Sequence, residues 1–372
     1  FQLTNNRPVT ETCFCSRYGL TNKEVVHSFT LEMYRFQYYL NTDYKSARRI
    51  LLSKIRYLNE AKQNAEKIKK PGALYTDDQF NLYINALTVV NFVDYIERTA
   101  DKSLLALGGL EMLLEISKFY LSIIKPNAKK TNYQVLNVTS LDGSIKNIDN
   151  SALLNYLIKD CFGKTANMVA LAKTENRKEV EEYLKTNDYD KQIDNMREVR
   201  RKLYQQSPNV NNLVQYYDGY FKEEREISNP DLVNLFMLYP DDFKELVKKE
   251  NYIYYSKFAN PDPLGKINLA FIACSKGYEK ESNKYFRNVL GLNLCDDANK
   301  LNFEQTYLDL GVASALNLYL VYGLAGLKHD RYLLMADSFI PNDIRRLEFK
   351  INIANNIGSI KIKRNSATVE WQ

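Results

Sequence analysis

The sequence predicts an all-α protein: an irregular α-α solenoid or a large multi-helix bundle, with minor β at residues 133–148 and in the C-terminal tail. Three observations carry that reading. Apolar residues recur at spacings of three and four through most of the 372 residues. Glycine and proline, at 14 and 9, are scarce enough to leave long elements uninterrupted. Residues 310–327 run without a charge, between Asp309 on one side and Lys328, His329 and Asp330 on the other.

That uncharged stretch is the element the rest is expected to pack around. Its length is at the lower limit for crossing a bilayer. Gly311, Gly323 and Gly326 weaken a lone helix, however, and no basic cluster marks one flank. Gly311 with Ala315, and Ser314 with Leu318, give a face that a neighbouring helix can approach closely, so a buried central helix is expected.

Residues 1–20 show no periodicity and read as an extended arm holding Pro8 and the thiols Cys13 and Cys15. Thr21 and Glu24 form a capping box for a helix carrying Val25, Phe29, Met33, Phe36 and Leu40. A second helix is expected over 43–69, with Ala47, Ile50, Leu51, Ile55 and Leu58 inward, Lys54 at the margin, and Pro71-Gly72 after its end. Thr76 and Gln79 form a further capping box before a helix to about Thr99. Residues 103–124 make a fourth helix. Glu111 and Glu115 lie one turn apart on it and could ligate a metal beside a Glu-x-x-His partner, which the sequence lacks. They read as a polar edge.

Pro126 stops that helix, and the polar stretch 126–150 breaks the rhythm. It alternates weakly from Tyr133 and offers a turn at Asp142-Gly143. The expected organisation is an arm (1–20), an N-terminal helical domain (21–125), an irregular insertion (126–150), a helical-repeat-like domain (151–357) and a β tail (358–372). Within 151–357, helices are expected at 151–162 and 165–173 about Gly163, through the charged 176–206, at 212–225, and after Pro230 and Pro240. In the tail Ile360 and Ile362 alternate with lysines, and Val369 and Trp371 continue the pattern, as a hairpin would.

Residues 269–294 resemble one tetratricopeptide-type unit. Leu269, Ala270 and Ala273 fit its first helix, Gly277 its turn, and Ser282, Phe286 and Val289-Leu290 its second. Leu294 stands where proline is usual, and the first-helix tryptophan is absent. The resemblance implies stacked helix pairs whose curved face binds peptides or proteins.

Few side chains suit acid–base chemistry near neutrality. The histidines are His27 and His329 alone. There is no glycine-rich phosphate loop. Cys161, Cys274 and Cys295 lie in apolar periodic segments and read as reduced core thiols. No catalytic residue, cofactor or metal is expected. The expected function is a non-catalytic scaffold or adaptor in a multi-subunit assembly, not an enzyme, with other proteins as partners and no small-molecule substrate. Tyr216, Tyr217, Tyr220, Tyr252, Tyr254 and Tyr255 are its candidate partner-binding residues, because tyrosine adds contact area at little entropic cost. One alternative is a binder of RNA or an anionic membrane surface. It would use a basic face of Lys45, Arg48, Arg49, Lys54 and Arg56, where residues 43–70 hold nine Lys/Arg against three Asp/Glu. The other is a carboxylate-dependent hydrolase with two convergent acids. A first residue of Phe1 suggests a processed chain and a mitochondrial address, otherwise a cytoplasmic one.

Overall fold

The computed structural model describes residues 28–76, 80–223, 225–227, 231–259, 261–293, 310–330, 333–342, 344–353, 356–363 and 366–371. The expected arm over 1–20, the Thr21–Glu24 cap, His27 and Cys295 lie outside them, as do most of the Thr76–Gln79 box and Asn229-Pro230.

The described residues are mostly helical, as expected, with few strands. In chain order come a π-helical turn (Leu31–Arg35) leading into α1 (Phe36–Thr42), then α2 (Tyr44–Arg56), α3 (Leu58–Lys67), α4 (Leu82–Thr99) and α5 (Leu110–Ile123). After two short strands, β1 (Lys125–Pro126) and β2 (Tyr133–Gln134), come α6 (Ala152–Glu175), α7 (Arg177–Thr186), α8 (Tyr189–Lys202), α9 (Tyr220–Glu223) and α10 (Asp231–Leu238). Then follow α11 (Glu245–Phe258), α12 (Pro263–Ser275), α13 (Glu279–Asn293) and α14 (Leu310–Leu318), which continues as a π-helical turn (Tyr319–Leu324).

These helices close a ring rather than stack as a solenoid. The first helix packs on α4, α4 on α6, α6 on α10, α10 on α12, α12 on α14, and α14 back on the first. Between these inner helices the chain returns along the outside through α2, α5, α8, α11 and α13, each packed on an inner neighbour. The apolar core is continuous from Leu31 to Leu324, so the stretch at 126–150 joins two helices that share one core. The uncharged 310–327 stretch forms the sixth inner helix, with Leu310, Val312, Ala315 and Tyr319 buried, and ends in β3 (Leu327–Asp330). Among the described residues, no helix is long and apolar enough to cross a membrane.

Local physics sets several boundaries. Asp43 accepts from Lys45 N and starts α2 one residue after α1 ends. The single helix expected over 43–69 breaks at Tyr57, which leaves the α region. Gly163 does not separate a pair of helices. It lies within the 24 residues of α6, where a β-carbon would meet the Arg200 guanidinium. The helix expected at 212–225 is only α9, because 203–219 is pinned to its neighbours by polar contacts. The predicted Asp142-Gly143 turn is present, with Gly143 at φ +74° and Val138 bridged to Ile148.

The tetratricopeptide-like segment is a real helix pair: α12 and α13 turn at Gly277 (φ +75°), and Ser282 Oγ donates to Ala270 O at 2.9 Å. It is one inner–outer pair of the ring, and no stack of such units surrounds it. At the C-terminus β3 pairs with β4 (Leu333–Ala336), and β5 (Leu347–Ile353), β6 (Asn356–Lys363) and β7 (Ser366–Trp371) form an antiparallel sheet. Ile351, Ile353, Ile360 and Ile362 share its buried face. Tyr44 Oη donates to Asn352 O at 3.0 Å, which fastens the sheet to the ring.

Candidate functional site at the loop-bearing mouth

The two ends of the ring differ. At the end where the inner helices finish, three of the links are short, Asp43, Asn176 and residues 276–278, beside 100–109 and 239–244. At the other end the longest stretches return to α4, α6 and α10 through 68–81, 124–151 and 203–230, while 259–262 leads briefly to α12. Those stretches gather where the inner helices begin, and loops carried on a rigid scaffold are where binding and catalysis concentrate.

Asp231 holds this mouth together. It opens α10 and is wholly enclosed. Its carboxylate accepts hydrogen bonds from Tyr83 Oη (2.8 Å), Tyr216 Oη (2.9 Å) and Ser151 Oγ (3.4 Å). Ser151 in turn caps α6, accepting from Leu154 N at 3.3 Å. One acid therefore ties the starts of α4, α6 and α10 to the 203–219 connection. Burial pushes its carboxyl up to about 7; the three hydroxyls oppose that rise, and the charge of Asp142 adds to it. A carboxyl that titrates near neutrality is a mark of functional sites.

The surrounding loops are cross-tied. Asn150 Nδ2 and Gln206 Nε2 donate to the two oxygens of Asp218, each at 2.7 Å. Asp218 N donates to Asp149 O at 3.0 Å, and Asn81 Nδ2 to Leu141 O at 3.3 Å. Asp142 is half-buried and accepts from Ser140 Oγ (2.6 Å), Ser144 N (3.0 Å) and Ser144 Oγ (2.7 Å). Further along the same connection a cleft of about 200 Å³ lies between residues 145–149 and Tyr217, Asp218, Glu223 and Arg225. Further along the inner helices, Asn268 Nδ2 donates to Asn234 Oδ1 (2.7 Å) and Tyr34 Oη (2.8 Å), a buried polar bridge across the hollow of the ring.

The candidate residues from the sequence fall elsewhere, with two exceptions. Tyr216, Tyr217, Tyr220 and Tyr255 pack ring on ring in the interior, Tyr252 stacks on Tyr278, and half-buried Tyr254 meets Phe221 edge-on. Of these, Tyr216 bonds to Asp231 and Tyr217 lines the small cleft. Of the basic residues, Lys45, Arg49 and Arg56 are exposed and Arg48 pairs with Asp101 at 2.9 Å. Lys54 does not belong to a surface face; it is buried against Glu32. Glu111 pairs with Lys62, and Glu115 accepts from Tyr189 Oη at 2.5 Å. Asp231 was missed, because in sequence it is one acid before the apolar run Leu232-Val233-Asn234-Leu235-Phe236, with no motif around it.

Comparison with known proteins bears on this mouth. A family profile described as "Glycosyl hydrolase family 65 central catalytic domain" matches residues 77–229. The chain is 24% identical over 216 residues to a nigerose phosphorylase of Lachnoclostridium phytofermentans, covering 50% of this chain and 29% of that protein. It is 22% identical over 312 residues to a kojibiose phosphorylase of Thermoanaerobacter brockii, covering 74% and 39% respectively. A solved structure titled "Putative kojibiose phosphorylase from human microbiome" superposes with a TM-score of 0.83 at 22% identity, over 93% of this chain and 56% of that one. At that identity the last likeness is one of fold. The chain spans less than half the length of these curated relatives.

These findings correct the sequence reading. Likeness to enzymes named for disaccharides replaces the tetratricopeptide resemblance. It also replaces the non-catalytic scaffold, its RNA- or surface-binding alternative, and the expectation of no enzyme and no small-molecule substrate. Nothing in these likenesses supports the mitochondrial address.

Proposed function

We propose that the chain carries a catalytic region that cleaves the glycosidic bond of a disaccharide with inorganic phosphate, at the loop-bearing mouth. The observation that carries this reading is the family match at 77–229, because those residues supply the start of α4, the 126–150 connection, the start of α6 and the 203–219 connection.

The chemistry suits such a mouth. An oxygen of phosphate forms the new bond to the anomeric carbon, the glycosidic C–O bond breaks, and the departing sugar oxygen takes up one proton. Phosphate is itself the nucleophile, so no second carboxylate is needed to activate water, as hydrolysis requires. Asp142, half-buried on the 126–150 connection, is our candidate for the carboxyl that delivers that proton. Asp231, which substrate cannot reach, is a positioning residue that keeps three helix starts in register.

The test is incubation of the protein with kojibiose, nigerose, maltose and trehalose, with and without phosphate, following sugar 1-phosphate and free sugar. One of the four is expected to be cleaved only with phosphate present, and Asp142→Asn is expected to lower kcat about 100-fold, the scale of a lost acid–base group, with the melting temperature unchanged. A folded protein inert toward all four with phosphate present would sink the proposal.

A further inference from the structure

Beyond the Asn268 bridge, the hollow of the ring widens into a cavity of about 740 Å³ that opens at the end of the short links, opposite the loop-bearing mouth. It begins at Phe236 on α10 and Phe271 on α12, two and three residues past the bridging Asn234 and Asn268. This is the size at which pockets enclose small molecules.

One wall carries donors and acceptors side by side. Lys164 Nζ lies 3.7 Å from Asp94 Oδ1 and 3.7 Å from Asp160 Oδ2. Tyr239 Oη donates to Asp160 Oδ2 at 2.8 Å, and Gln37 Nε2 donates to Asn91 Oδ1 (3.2 Å) and Asp94 Oδ2 (3.0 Å). Carboxylates accept from sugar hydroxyls, ammonium and amide groups donate to them, and the rings of Phe236, Phe271 and Tyr322 offer flat faces for C–H groups.

Its rim carries three lysines. Lys248 Nζ donates to Pro240 O at 2.7 Å and pairs with Glu245 at 2.5 Å; Lys276 pairs with the other oxygen of Glu245, and Lys328 lies 3.8 Å from Asp241. Lys248 and Lys276 are 7% and 6% exposed, whereas Glu245 and Asp241 are 72% and 82% exposed. Burial draws both enclosed ammonium groups below their ordinary value, and the charge of Lys328 bears on each. Three lysines thus share the rim with three carboxylates, Glu245, Asp241 and Asp337; those of Glu245 and Asp241, which pair with the lysines, extend into water and can be displaced by a compact dianion.

Rim and wall are joined by three consecutive residues: Tyr239 donates to Asp160, Pro240 O accepts from Lys248, and Asp241 lies beside Lys328.

We propose that this cavity is a second binding site, for a sugar phosphate, with hydroxyls on Gln37, Asp94 and Asp160 and the phosphate on Lys248, Lys276 and Lys328. The site lies away from the loop-bearing mouth and stands whether or not the reaction there is phosphorolysis.

The experiment is calorimetric titration of the protein with glucose 6-phosphate, whose phosphate is not on the anomeric carbon and which is therefore no product of phosphorolysis. Saturable binding is expected. Lys328→Met, at an exposed position, and Lys276→Met, close in shape, are each expected to weaken it about ten-fold, the scale of one charge-assisted contact, with melting temperatures reported alongside. Glucose alone and inorganic phosphate alone are each expected to bind at least about ten-fold more weakly. No saturable binding, equal affinity in a folded Lys328→Met protein, or inorganic phosphate binding as tightly as glucose 6-phosphate would each overturn the proposal.

Discussion

Lys54 Nζ lies 2.5 Å from Glu32 Oε1, and each side chain is 1% exposed. Asn91 Nδ2 donates to Glu32 Oε2 at 2.9 Å, and the ammonium of Lys54 stands 5.6 Å from the ring centre of Tyr75. Burial pulls Lys54 below its ordinary value while Glu32 holds it up. The pair joins the first inner helix to outer helix α2. Breaking one side of a buried pair leaves an uncompensated charge, so Lys54→Met is expected to cost about 3–5 kcal/mol. The double variant Glu32→Gln, Lys54→Met is expected to recover most of that loss. Urea unfolding of the three proteins checks both; a single variant within about 1 kcal/mol of the parent would deny the pair this role.

Gly72 closes the connection after α3 at φ +91°. A β-carbon there would run into the carbonyl of Glu115 and the backbone of Phe119 on α5. Ala73 N also donates to Glu115 O at 2.9 Å, so the backbone cannot back away cheaply. Gly72→Ala combines a left-handed conformation with a clash against main chain, and is expected to lower stability by about 2 kcal/mol or more. Thermal melts would show it, and an unchanged midpoint would mean that α5 moves aside at no cost.

Asn268 bridges α10 and the first inner helix from α12. Asn268→Leu keeps the size but takes from enclosed Tyr34 both its contacts with the amide, one donated to Oδ1 and one accepted from Nδ2, and from Asn234 one, which predicts a loss of about 1–3 kcal/mol. Asn268→Asp keeps an acceptor for Tyr34 but brings a carboxylate up to the Asn234 oxygen, so its loss should grow as pH rises. Chemical denaturation at two pH values separates the cases, and equal stability of all three proteins would show the bridge to be energetically idle.

The helices were legible because periodicity reports which face of a segment is buried. The tail was legible for the same reason, since Ile360 and Ile362 fall on one side of β6. Closure of the ring was not, because a buried face does not name the helix that covers it. Val312 and Leu316 read the same in a solenoid as in the ring, where their helix packs against the first one. Lys54 looked marginal on its helix because its partner, Glu32, belongs to another. The site was hidden more deeply still: Tyr83 and Asp231 are 148 positions apart, and neither sits in a local pattern.

Asp231 gives the pH dependence its sign. Its carboxyl stands at about 7 in the folded protein against an ordinary 3.8, chiefly because burial disfavours the charged form. The folded state therefore binds a proton more tightly than the unfolded chain does. The stability this confers is complete below about pH 4 and drains away as pH rises to about 7, because across that window the unfolded chain has released a proton that the native state still holds. A shift of this size corresponds to something on the order of 4 kcal/mol. Other carboxylates, such as Asp101 with its Arg48, Ser103 and Tyr95 donors, titrate in the opposite sense, so the difference between parent and variant is the clean quantity. Asp231→Asn carries no titrating group but still accepts from a tyrosine hydroxyl. Its stability relative to the parent is expected to rise between pH 4 and 7, by urea unfolding in matched buffers. A difference that stays flat across that range would mean the carboxyl at the head of α10 is already ionised in the native protein, and that the hydroxyls of Tyr83, Tyr216 and Ser151 outweigh its burial.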